Sequence, residues 1–288
     1  MASERELRRR IRSIGSTAQI TKAMQMVAAS KMRKAQQLAI EVRPFVRLLY
    51  RIQRVATAHA EDFTHPLCEL RPVRTRGVIL VAADKGLCGA LNSNVFRLAA
   101  QYDPASTIFM TAGRKAAQFV AQTRRRLAAE FAYGDTPQFA ESRAIATLAR
   151  DLFERGEVDA VDVIASRFVN TLTQQALTLP LLPIVDIAGL QVPGTSGAGE
   201  ASGAAFDFLF EPDAADIVAY AVDIYLKVFV HVVLLNAKAS EQSARMVSMK
   251  SATDNAEGMI QELTLAYNKL RQGHITQELL EIAGGQSQ

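Results

Sequence analysis

Both ends of the chain carry one pattern, and it leaves few folds open. In the first sixty residues, apolar or small side chains recur at Leu7, Ile11, Ile14 and Ala18, and again at Ala28, Met32, Ala35, Ala39, Val42, Val46 and Leu49. The steps alternate between three and four, the spacing of a helix that buries a narrow stripe against a second helix. A helix of about 55 residues runs roughly 80 Å. Helices of ordinary globular domains run to about 20 residues, so a length like this predicts a coiled coil. Thr21 and Gln25 interrupt the stripe, Met24 and Val27 lie beside it, and Pro44 predicts a kink.

The second ladder starts at Glu211-Pro212-Asp213, where proline and acids suit a first turn. It passes through Ile217, Ala221, Ile224, Val228, His231, Leu235, Ala239, Gln242, Met246, Met249, Thr253, Ala256, Ile260, Leu263, Tyr267 and Leu270, and stops near Gly284-Gly285. About 70 helical residues would span roughly 105 Å. The two ladders can pair only if the chain folds back, which makes the pair antiparallel. Residues 1–54 hold 13 Lys/Arg against 3 Asp/Glu, whereas residues 211–288 hold 6 against 10, so the two ends attract. From 239 to 256 the stripe is Ala, Gln, Met and Thr, thin and adaptable. That composition predicts a segment enclosed by partner proteins. Val228 to Leu235 is apolar all round, which predicts cover from two sides.

Between the ladders the period changes. Residues 63–76, with Pro66, Cys68 and Pro72, read as a connector. Gly77 to Ala83 is a buried strand ended by Asp84-Lys85-Gly86, residues 90–102 read as a helix, Ser106 to Ala112 as a second strand, and Gly113 opens another helix. Residues 137–155 form a third helix and Ala160 to Ser166 a third strand; Leu181 to Ile187 and Ala205 to Phe210 are weaker strand candidates. Alternating strands and helices imply a small, largely parallel sheet. The fold class expected is therefore α/β with dominant helix: a long antiparallel two-helix coiled coil made by the N- and C-terminal helices, plus a small Rossmann-like α/β domain. The boundaries expected are 1–62, 63–210 and 211–288, with a Gly-rich flexible loop at 188–204.

Several function classes are disfavoured. Asp84-Lys85-Gly86-Leu87-Cys88-Gly89 follows a strand and precedes a helix, where a phosphate loop would sit, but lacks the G-x-x-x-x-G-K-[ST] order. A tight turn that needs glycine is the better reading. Cys68 and Cys88 are read as free, structural thiols, and His59, His65, His231 and His274 lack metal-ligand spacing. No catalytic residue, metal site or cofactor is expected. The Arg8, Arg9, Arg10 and Arg12 cluster has no interleaved aromatics, which weakens a nucleic-acid reading. The N-terminus lacks an apolar signal core, and Asp223, Lys227 and His231 interrupt the longest apolar stretch, which argues against a spanning helix.

Three segments carry a specific likeness: Ile20-Thr21-Lys22-Ala23-Met24-Gln25-Met26-Val27-Ala28-Ala29-Ser30-Lys31-Met32-Arg33-Lys34; Asp84 to Asn92; and Ser240-Glu241-Gln242-Ser243-Ala244-Arg245-Met246 on to Leu263-Thr264-Leu265-Ala266-Tyr267-Asn268-Lys269 and Arg271-Gln272-Gly273-His274-Ile275-Thr276-Gln277-Glu278-Leu279. In order and spacing they resemble the gamma subunit family of the F-type rotary ATP synthases. The resemblance implies a central-stalk rotor shaft with no active site of its own, one copy per complex. It would sit in a ring of alternating alpha and beta subunits, near epsilon and on the membrane c-ring, and couple ion flow to ATP synthesis or hydrolysis at the beta subunits. It implies that Lys22 and Met24 meet an acidic beta-subunit loop, that Arg33 and Lys34 extend the same basic motif, and that the pair Arg271 and Gln272 catches polar groups of a beta subunit. It implies no cofactor and no nucleic acid. The plastid regulatory insert is missing, which points to a bacterial inner membrane, peripheral on the cytoplasmic side. The ending Gly284-Gly285-Gln286-Ser287-Gln288 departs from the family's small apolar tail, and Ser243 stands where alanine is common. A non-rotary coiled-coil scaffold or nucleic-acid-binding protein with an α/β domain is the alternative.

Overall fold

A computed structural model describes residues 3–59, 65–184 and 214–285. The elements run α1 (Glu4–His59), β1 (Arg76–Val81), α2 (Leu91–Ala99), β2 (Thr107–Ala112), α3 (Arg114–Gln122), β3 (Arg126–Phe131), α4 (Phe139–Glu154), β4 (Ala160–Phe168), β5 (Gln174–Leu182) and α5 (Ala214–Gly285). The expected strand at 205–210, the Gly-rich loop and the Glu211-Pro212-Asp213 helix start lie outside the described residues. The chain divides into two compact units, residues 1–28 with 245–288, and residues 29–244.

The first unit is an antiparallel helix pair. Leu7, Ala18, Thr21 and Ala28 of α1 and Met249, Thr253 and Ala256 of α5 are buried along the expected stripe. The register is fixed by Thr21 opposite Thr253, hydroxyl to hydroxyl at 2.7 Å, and by Tyr267, which accepts from Arg8 Nη2 and donates to Glu4 Oε1, each at 2.8 Å. Moving toward the start of α1 therefore means moving toward the end of α5.

The second unit holds a five-stranded sheet in the order β3-β2-β1-β4-β5. β1 pairs in parallel with β2 and β4, and β2 with β3, while β5 is antiparallel to β4. β1 is buried on both faces, as a central parallel strand must be. On one face Ile79, Val81, Met110 and Val163 pack with α4, α5 and α1 residues Val46 and Leu49. On the other, Val78, Leu80, Phe109 and Ile164 pack with α2 and α3. Val228 to Val230 and Val232 to Leu234 belong to the first cluster, so the apolar stretch of α5 is covered by the chain's own helix and sheet domain. Pro44 lies inside α1 without ending it.

Two strand assignments differ from expectation. β3 has a mostly exposed face pattern at the sheet edge, so no apolar run announces it. β5 begins at Gln174 and ends at Leu182, not starting at Leu181 as expected, and residues 185–187 of the expected strand lie outside the described residues; as an antiparallel edge strand it alternates polar and apolar residues instead of forming a continuous apolar run. The thin part of the second ladder also differs. Residues 237–244 are buried by the chain itself, not left for partners, because Ala, Ser and Gln side chains let α5 approach the sheet domain closely.

Candidate partner-binding surfaces

Lys22 sits on the exposed face of α1, one residue past the Thr21–Thr253 contact, with Met24 half-buried beside it. Ile20, Met26 and Val27 on the same segment are more than half exposed. A cationic tip set among uncovered apolar side chains is the composition of a protein-docking surface. Arg271 and Gln272 lie about 18 residues beyond Thr253 on α5, roughly 27 Å along the helix. The structure thus separates these two groups into two stations on the helix pair. Tyr267 is already level with Glu4. From Arg271 onward every described side chain is exposed, including Ile275, Leu279 and Leu280. Neither Arg271 nor Gln272 has a side-chain partner among the described residues, so their full hydrogen-bonding capacity is free for a neighbour.

Arg33 and Lys34, in the other unit, are exposed on α1 and also unpartnered among the described residues. Their neighbour Lys31 donates to Asp135 Oδ2 at 2.6 Å in a contact exposed to solvent. The basic motif therefore splits into one lysine paired within the chain and two outward charges. That hydrogen bond holds the Asp135 carboxyl below its ordinary range.

The Asp84–Gly89 loop follows β1, at the switch point where doubly wound sheets hold their ligands. Here it is closed by its own residues. Asp84 Oδ1 accepts from the backbone N–H of Arg114, and Asn92 Oδ1 from that of Ala83. Cys88 is buried with Ala83, Leu91 and Ala244 of α5. Leu87 and Gly89 take left-handed backbone angles, as the tight turn requires. Cys68 is half-buried, and burial pushes its thiol pKa up. His231 bonds Ser142 Oγ through Nδ1 at 2.9 Å, and His65 caps a short 3-10 turn; burial lowers both. Among the described residues no group of three His, Cys, Asp or Glu is arranged to hold a metal.

Sequence reasoning missed a polar cluster around Asp135, Tyr133, Lys238 and Glu241. Its one legible signal was a Lys and a Glu three apart inside the small-residue run Ala237 to Ser243.

A family model for ATP synthase matches residues 3–287. The ATP synthase gamma chain of Opitutus terrae is 44% identical over 99% of this chain and 98% of its own. The chain belongs to the ATP synthase gamma chain family. The gamma chain of Methylacidiphilum infernorum is 39% identical, covering 99% of both. Among solved structures, a chain of the Euglena gracilis mitochondrial ATP synthase (OSCP/F1/c-ring, rotational state 3) superposes with a TM-score of 0.65 at 18% identity, over 99% of this chain and 93% of that one. One from the Tetrahymena thermophila central stalk and c-ring gives 0.59 at 24% identity, over 81% and 99%. These likenesses carry the fold: two long terminal helices around a mixed five-stranded domain.

Proposed function

We propose that this gamma-family chain is the rotor shaft itself, turning with the c-ring and driving the beta subunits through successive nucleotide affinities. The observation that carries the reading is the bare end of α5. From Arg271 onward every described side chain is exposed, with Ile275, Leu279 and Leu280 in the open beside Arg271 and Gln272, which have no side-chain partner among the described residues. Such an end is at home inside a ring of other proteins. Two separate stations, Lys22 with Met24 and Arg271 with Gln272, suit a shaft that touches the beta subunits at more than one height, while Arg33 and Lys34 add outward charge lower on α1. Charge-assisted hydrogen bonds fit contacts that must hold and then release. The chain itself performs no chemistry and binds no cofactor; residues 63–210 form the foot beside epsilon and the c-ring, and residues 1–62 and 211–288 the axle. One copy serves each complex at a bacterial inner membrane, on its cytoplasmic side, with H+ or Na+ as the coupling ion.

Mixing the chain with alpha and beta subunits tests this. A single copy should enter each alpha–beta ring and give a rotating ATPase, and Arg271→Ala with Gln272→Ala should weaken coupling without unfolding the chain. A chain that ignores the ring would end the reading.

A further inference from the structure

The least ordinary stretch of the second unit is Lys238 to Ser243 of α5, where charged and polar side chains are almost wholly buried. At 3.6 residues per turn, Lys238, Glu241 and Gln242 project to one side of the helix, and Ser240 and Ser243 to roughly the opposite side. Each side is held by a different part of the α/β domain. On the first, Lys238 Nζ lies 3.0 Å from Glu241 Oε2 and 4.5 Å from the centre of the Tyr133 ring, with Asp135 Oδ1 at 3.9 Å. Gln242 Nε2 donates to Asp135 Oδ1 at 3.5 Å, and Asp135 also takes Lys31 of α1. On the second side, Ser240 Oγ donates to the Ser166 carbonyl at 3.3 Å and Ser243 Oγ to the Thr171 carbonyl at 2.8 Å, while Gln174 Nε2 donates to Ser243 Oγ.

We propose that residues 238–243 form a keyed joint. The loop between β3 and α4 and the turn between β4 and β5 grip α5 from opposite faces and fix its rotation about its own axis against the α/β domain. The inference rests on the rotor reading and names Asp135, Ser240 and Ser243 as positioning residues for torque. The hydrophobic effect is non-directional, so apolar packing defines the angle of a helix less sharply than directional hydrogen bonds do. Hydrogen bonds weaken steeply with misalignment, and turning α5 carries the buried Lys238 ammonium away from Asp135 and the Tyr133 ring, while Glu241, on the same helix, moves with it. Buried polar groups are known to set register in helical assemblies for this reason. Residues 228–235 just before supply adhesion through apolar side chains, and 238–243 add an angular lock.

The test uses the assembled enzyme in lipid vesicles and the free full-length chain. In the assembled enzyme, Asp135→Asn and the pair Ser240→Ala with Ser243→Ala should hydrolyse ATP at the wild-type rate. They should pump about two-fold fewer ions per ATP, read with proton- and sodium-responsive dyes, and Asp135→Glu should restore pumping. In the free chain, amide exchange of the peptide spanning 236–246 should quicken about ten-fold in the serine variant, with the thermal midpoint of the sheet domain little changed. Unchanged exchange overturns the joint, whatever the assembled enzyme does. Unchanged pumping by variants of a coupled wild type overturns its torque role. A wild-type chain that never joins the alpha–beta ring overturns the rotor reading, and the torque role with it.

Discussion

Replacing Thr21 with valine removes one hydroxyl from the seam of the helix pair, where Thr21 and Thr253 are 9% and 5% exposed. Three close contacts meet there: Thr21 Oγ1 to the Ala18 carbonyl at 3.0 Å, Thr253 Oγ1 to the Met249 carbonyl at 2.9 Å, and the two hydroxyls to each other at 2.7 Å. Two hydroxyls own only two protons, so one proton always points along its own helix and the other crosses. After Thr21→Val, Thr253 still donates to Met249, and no buried hydroxyl is stranded. The loss is about one net hydrogen bond, roughly 1 kcal/mol, against roughly 0.8 kcal/mol gained by a buried methyl in place of the hydroxyl. The variant should be within about 0.5 kcal/mol of wild type. Thr21→Ala loses the hydrogen bond and a methyl without replacement, costing about 2 kcal/mol. Because the pair is not mutually dependent, Thr21→Val with Thr253→Val should show a coupling energy under about 0.5 kcal/mol. The chain has two compact units and two-state analysis suits small single domains, so the measurement is native-state amide exchange over 18–28 and 246–256. Thr21→Ala should quicken local opening about 30-fold and Thr21→Val hardly at all. A valine variant that loses more than about 2 kcal/mol would mean a stranded hydroxyl, and the proton accounting would be wrong.

Gly113→Ala should prevent the sheet domain from folding: at φ +93° the added Cβ would stand 2.1 Å from the Ala82 carbonyl oxygen, a cost above about 3 kcal/mol visible as lost soluble expression. Gly15→Ala is its counterpart, since nothing lies within 4 Å of the new methyl; α1 should gain about 0.5–1 kcal/mol, read as slower exchange nearby. His231 and His65 are both lowered from the ordinary 6.5 by burial, so the folded state resists their protonation. Their neutral forms add full stability above pH 6.5; it is lost as pH falls below 6.5 toward the folded values, and His231→Gln should flatten that slope in denaturant titrations. Cys68, raised by burial, should react with iodoacetamide at pH 8 more slowly than a free thiol, and Cys88, buried beside Asn92, more slowly still.

How far the sequence could be read depended on how each residue is buried. Both helix ladders, and β1, β2 and β4, were legible because their burial is periodic or continuous: every ladder position from Leu7 to Leu49 is buried or half-buried. β3 was not, because an edge strand beginning Arg126-Leu127-Ala128 has little to bury. β5 was displaced seven residues along the chain because Leu181-Leu182 is more apolar than the alternating Gln174–Leu179 that pairs with β4. Met24, Arg271 and the other contact candidates were found through motifs, while their exposure and separation needed the register set by Thr21 and Thr253. The burial of Lys238 and Glu241 was not legible because sequence carries no sign of the Tyr133 ring, which arrives from more than a hundred residues away.

The end of α5 from Arg271, exposed at every described side chain, has a thermodynamic consequence. A lone helix of about 15 residues is marginal in water, so its order is supplied by whatever binds it. Its melting should then depend on neighbour concentration, as any linked equilibrium does. Substitutions there would alter assembly yield before they altered the stability of the purified subunit, so heat-denaturation screens of the free protein would pass over them.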